Sequence, residues 1–146
     1  MKYSLDINDS YLRNILIKKL KDEGNIVIDC FNEEGCLGEN YFKKVLLSNS
    51  TKADIFIRIR KDIGEEKKIE ILGDDLVLRR VVSLNLEDIV DYMGLSQMSI
   101  KSGKGLYLVK NLESLCLIIN ISDTENKEIN KEKLVSSLYK IIKGAS

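Results

Sequence analysis

Apolar residues recur at helical spacing at Leu12, Ile15, Leu16 and Leu20, and this periodicity predicts a first helix. Asp9 or Ser10 stands where an N-terminal cap belongs, and Gly24 stands where the helix should end. No element is assigned before that helix. Asn25 to Cys30 (NIVIDC) reads as a strand because Ile26, Val27 and Ile28 are β-formers. Phe31 to Gly38 reads as a polar loop, and Tyr41, Phe42, Val45 and Leu46 as a second, short helix. The clearest strand is Asp54 to Arg60 (DIFIRIR), with Ile55, Ile57 and Ile59 on one face and Phe56, Arg58 and Arg60 on the other. Lys68 to Leu72 is a short strand closed by Gly73. From Asp74, its natural cap, one helix is expected through Val77, Val81 and Leu84 toward Tyr92. Gln97 to Gly105 reads as a loop, and Leu106 to Val109 and Leu115 to Ile121 as strands. Leu134, Val135, Leu138, Ile141 and Ile142 mark a last helix ended by Gly144.

Strands alternating with helices predict an α/β fold. The expectation is one three-layer domain over residues 1–146, with a mostly parallel sheet of about five or six strands and helices on both faces. Leu115 to Ile119 has no polar alternation, so it should be a central strand covered on both sides. Ile55, Ile57, Leu117, Ile119, Leu16, Leu20, Val81, Leu138 and Ile142 should form the core. No internal repeat, low-complexity tract or linker interrupts the pattern.

Composition narrows the chemistry. Among 146 residues, 23 Lys and Arg balance 23 Asp and Glu, which argues against a nucleic-acid binder that depends on bulk charge. There is no histidine, so Ser-His-Asp and Cys-His nucleophiles and every zinc site built on imidazole are excluded. The three cysteines, Cys30, Cys36 and Cys116, are too few and odd in number for a disulfide framework. Cys116 lies in an apolar run and reads as a structural thiol. Cys30 and Cys36 flank Glu33, Glu34 and Gly35, a spacing open to a labile disulfide or a partial metal site. The first residues contain no apolar segment of the signal-peptide kind, and no run approaches a membrane span, so a cytoplasmic location is expected for the chain as written.

Ligand sites in wound sheets lie at the C-terminal ends of strands. Arg60 and Asn120 stand at such ends. Each has a plain alternative: Arg60 as a salt-bridged strand end, Asn120 as a turn former. Neither is a general base at neutral pH. Arg79 and Arg80 read as a solvated helix face, with a phosphate or carboxylate clamp as the alternative. The string Ser102-Gly103-Lys104-Gly105 lacks the remaining features of a phosphate loop. The stretch Asp123 to Glu132 lacks the spacing of a calcium loop.

Several strings, in order, resemble the zinc-dependent N-acetylmuramoyl-L-alanine amidases of the amidase-3 family. Ala53 to Arg60 (ADIFIRIR) is similar to that family's ADLFISIH. Leu106 to Asn111 (LYLVKN), followed by Leu115 to Asn126, is similar to its LYVLRNT and PAVLVEVGFISN. The first helix, ending LKDEG, and the last, Lys133 to Gly144, fall in the family's order. The resemblance covers the chain from about Leu5 onward.

What the resemblance implies about chemistry breaks at the site. The family holds zinc with two His and one Glu and uses a second Glu as the base. The second His falls on Arg60 and the catalytic Glu on Asn120. The first His belongs to a Gly-rich loop that this chain lacks, since it begins almost directly at the segment before the first helix. The ligand Glu falls near Leu5 or Asp6, of which only Asp6 could bind metal, and Lys44 stands where the family has Arg. The expectation is therefore a domain with no zinc and no cofactor, in which Asp6, Arg60 and Asn120 line a vestigial pocket. Arg60 would pair with Asp6 or another carboxylate. The function expected is binding or regulation in bacterial cell-wall or sporulation processes, with a protein or a peptidoglycan fragment as partner. Wall association would follow if the sequence had been trimmed. The alternatives are an α/β interaction domain, or an enzyme of non-zinc chemistry built on Cys30, Cys36, Asp6 and the arginines.

Overall fold

A computed structural model describes residues 1–32, 36–124 and 129–146. The elements run β1 (Lys2–Ile7), α1 (Ser10–Asp22), β2 (Ile26–Asp29), α2 (Leu37–Ser50), β3 (Ile55–Ile63) and β4 (Lys68–Gly73). They continue with α3 (Asp75–Val82), α4 (Leu86–Met93), β5 (Gln97–Ser102), α5 (Tyr107–Asn111), β6 (Leu115–Asp123) and α6 (Lys131–Ala145). The six strands form one sheet in the order β2-β1-β3-β6-β4-β5. All neighbours pair in parallel except β4 and β6.

The sheet's two faces carry two cores, as strand alternation requires. Leu5, Ile57, Ile71 and Ile119 point into the larger one, closed by α1, α3, α4 and α6. Phe56, Cys116 and Ile118 point into the smaller one, closed by Val45 of α2 and by Leu108 and Leu112 at α5. All nine predicted core residues lie in the larger cluster at 1 % exposure or less. β6 sits inside the sheet with Cys116 to Ile119 buried on both faces, as its unbroken apolar run predicts.

Six expectations need correction. β1 was not predicted, although Tyr3, Leu5 and Ile7 alternate and are fully buried. Asn8 and Asp9 alone link β1 to α1, and Asp9 caps α1 by accepting from the Leu12 amide at 2.9 Å. Residues 97–102 are the edge strand β5 rather than a loop. The alternation of Met98 and Ile100 with polar residues is too short to stand out, and neither face of the strand is buried. Leu106 to Val109 is not a strand, since Tyr107 to Asn111 forms a helical turn that buries Leu108. Such short apolar runs suit either state.

The single helix expected after Asp74 is two. Ser83 bonds the Arg80 carbonyl at 2.6 Å, the Asn85 amide bonds Asp88 at 2.7 Å, and the chain restarts as α4. Asp74 begins α3, but its carboxylate does not cap it; it accepts from the Cys116 amide of β6 at 2.6 Å instead. Gly144 does not end α6 but lies within it, where a Cβ would stand 2.6 Å from Leu84 Cδ1. Among the described residues, no helix is long and apolar enough to cross a membrane.

The link from β3 to β4 shapes the site. Residues 64–67 pass over the end of β6, because β3 and β4 flank that strand rather than pairing with each other. The Gly64 amide donates to the Asp123 carbonyl at 2.7 Å as the chain crosses.

Candidate ligand pocket

Four adjacent strands put their even or odd positions on one face in register. Arg60 of β3 stands beside Asn120 of β6, Asn120 beside Glu70 of β4, and Glu70 beside Ser99 of β5. One step toward the core, the row is Arg58, Ile118, Leu72 and Lys101. One step outward, it is Asp62, Ser122, Lys68 and Gln97. The row nearest α2 and α5 is partly apolar, and the outer two are polar throughout.

Beneath the Arg58 end lies Asp6, fully buried. Lys44 Nζ of α2 reaches Asp6 Oδ1 at 2.9 Å, Arg58 Nη1 bonds Asp6 Oδ2, and Arg60 Nη2 stands 3.5 Å from Oδ1. The expected Arg60–Asp6 pair is therefore present, but Lys44 and Arg58 are the closer partners. Burial is the main force pushing the Lys44 ammonium below the ordinary lysine range. Arg58 and Arg60 push the same way, and Asp6 opposes them.

Arg58 Nη2 donates to the Tyr41 hydroxyl at 3.2 Å, and its guanidinium lies 4.9 Å from the Tyr41 ring centre. Tyr41 stacks on Tyr107 with centroids 6.4 Å apart. The Asn120 amide donates to Glu70 Oε1 at 3.2 Å, while Lys101 holds Oε2 at 3.0 Å. These two bonds, the lysine's first, hold the Glu70 carboxyl below its ordinary range. Arg58, Arg60, Glu70, Asn120 and the two tyrosines line a cavity of about 280 Å³ with Leu72, Leu106, Leu108 and Ile118. A second groove of about 470 Å³ continues from Glu70 and Asn120 toward Gln97 and Ser99.

Arg60 and Asn120 thus share one cavity, and Asp6 lies under it rather than in its wall. Sequence reading missed Arg58, Glu70 and Tyr107. The signal for Arg58 was available: it shares the Arg60 face of an otherwise apolar strand. Glu70 and Tyr107 come from strands and turns whose pairing no local pattern reveals.

The remaining candidates lie elsewhere. Arg79 is exposed, and Arg80 donates to the Ala145 carbonyl at the end of α6 at 3.2 Å, which is a helix-capping role rather than an anion clamp. All three cysteines are free. Cys30 and Cys116 are buried, and burial pushes their thiols up to about 11 and about 12. Glu33, Glu34, Gly35, Glu125 and Glu128 lie outside the described residues.

The site can be tested against zinc on its own chemistry. The buried carboxylate is already enclosed by Lys44, Arg58 and Arg60, and cations repel a metal ion. No group of three His, Cys, Asp or Glu side chains among the described residues could hold one. The described residues around Asp6 do not fit a catalytic zinc.

This six-stranded, mostly parallel sheet with helices on both faces matches the fold of N-acetylmuramoyl-L-alanine amidase catalytic domains. The catalytic domain of CwlV, an N-acetylmuramoyl-L-alanine amidase from Bacillus (Paenibacillus) polymyxa var. colistinus, superposes with a TM-score of 0.69 at 13 % identity, over 99 % of this chain and 96 % of that one. The amidase AmiC2 of Nostoc punctiforme gives 0.68 at 11 % identity, over 97 % and 94 %. Cwp6 from Clostridium difficile gives 0.72 at 16 % identity, over 98 % of this chain and 28 % of that one. No protein-family model and no curated protein matches the sequence.

Proposed function

We propose that this chain is an amidase-like domain that binds and does not hydrolyse, acting in bacterial cell-wall or sporulation processes. The observation that carries the reading is the cluster around Asp6. The resemblance puts a zinc-binding His at Arg60, and there a guanidinium faces a carboxylate that Lys44 and Arg58 already hold. The second support is Asn120, an amide engaged with Glu70 where the resemblance puts the catalytic base. The short link Asn8–Asp9 between β1 and α1 leaves no room for a Gly-rich ligand loop. Burial pushes the Cys30 thiol up to about 11, which disfavours it as a nucleophile.

The occupant of the groove would be a peptidoglycan fragment or a partner protein. Metal analysis of the purified protein, joined to a hydrolysis assay and a sedimentation binding assay on peptidoglycan, tests the reading. The expected result is no stoichiometric zinc, no amide cleavage and retained association with wall material or with a co-purifying protein. Stoichiometric zinc together with chelator-sensitive cleavage would overturn it.

A further inference from the structure

We infer that the cavity between Arg58 and the Tyr41–Tyr107 pair is a site for a small monocarboxylate with a flat or apolar body. One wall supplies the charge. Asp6 is one carboxylate among Lys44, Arg58 and Arg60, and the two guanidinium groups alone outnumber it. Positive potential therefore faces the cavity from guanidinium groups only 10 % and 15 % exposed, where charge acts more strongly than on a fully exposed side chain. A guanidinium has five N–H donors, so Arg58 keeps donors for a carboxylate beyond the two given to Asp6 and Tyr41. Arg58 is held before any ligand arrives, by Asp6 on one nitrogen and the Tyr41 hydroxyl on the other. Its side chain is only 10 % exposed, so little freedom is lost on binding.

The other walls select the body. Leu72 and Ile118 give an apolar floor, and the stacked tyrosines give a flat aromatic edge. The volume, about 280 Å³, suits one ring or a short branched chain rather than an extended polymer. Glu70 stands at the far side, its charge matched by Lys101. That placement accepts a single negative charge near Arg58 and disfavours a dianion filling the whole cavity.

The inference needs no kinship with amidases, so its failure and that of the proposed function are separable. The test titrates the full chain with benzoate, its neutral counterpart benzamide, and inorganic phosphate, followed by amide chemical shifts. Benzoate should give saturable shifts around Arg58, Tyr107 and Asn120 that weaken as salt is raised. Benzamide should give none, and phosphate should bind more weakly than benzoate. Asn120→Asp adds a negative charge to the wall without touching the Asp6 cluster and should weaken benzoate by about tenfold or more. Tyr107→Ala, at a half-exposed ring, should weaken it as well. Equal binding of benzamide, tighter binding of phosphate, unchanged affinity in Asn120→Asp, or no saturation at tens of millimolar would each overturn the assignment.

Discussion

Asp6 is the residue on which the most energy turns. It is fully buried, and Lys44 beside it is 2 % exposed. Removing one partner of such a cluster leaves charge in a medium that cannot solvate it, at about 3–5 kcal/mol. Asp6→Ala is therefore expected to lower unfolding free energy by that amount in a urea titration. The cysteines divide by the same logic of burial. Cys36 is exposed, so an alkylating reagent at mild alkaline pH should label it alone, with Cys30 and Cys116 reacting only after denaturation. Mass spectrometry of the native protein checks this directly. Glu70 supplies a pH signature. Its carboxyl is held below the ordinary range, so its contribution is present above that range and is lost as pH falls through the lowered value. Glu70→Gln lacks this term, and its melting temperature should fall less than the parent's between about pH 7 and about pH 3.

At the scale of the element, β6 organises its neighbours. It pairs in parallel with β3 and antiparallel with β4, and it receives the Asp74 carboxylate on the Cys116 amide. Where β4 ends against it, Gly73 allows a close backbone approach: a Cβ there would stand 2.5 Å from the Cys116 carbonyl oxygen. Backbone cannot swing aside as a side chain can. Gly73→Ala should therefore destabilise by about 1–3 kcal/mol, measured by chemical denaturation. α1, by contrast, is set locally: Asp9 caps it, Leu12, Leu16 and Leu20 form its buried stripe, and Gly24 at φ +89° lets the chain turn into β2. That helix was legible residue by residue. β5 was not: its apolar alternation is only Met98 and Ile100, and both stay exposed at the edge of the sheet.

On the whole-molecule scale, one sheet serves two cores. Phe56 and Ile57 are neighbours in β3 yet belong to different clusters. Loss of β3 or β6 would open both at once, so the chain should unfold as a single cooperative unit. Far-ultraviolet circular dichroism and near-ultraviolet tyrosine signals should then give coincident thermal transitions. The smaller core also sets the pocket. α2 and α5 cover only part of their face of the sheet, and the polar rows beyond them stay open as a groove.

Hydropathy alone determined the α/β class, the buried character of β6 and every residue of the predicted core, because burial writes a period of two or 3.6 into the chain. The absence of histidine, a matter of composition alone, bounds the chemistry. The strings around Arg60 and Asn120 marked where a site should lie. Only the tertiary structure decided what that site is made of. Asp6, Lys44 and Arg58 come from three separate elements, and their ion pairs are contacts between residues 38 and 52 positions apart. Glu70 reaches Asn120 because β4 pairs antiparallel with β6 inside the sheet, a pairing that depends on long-range register rather than local pattern.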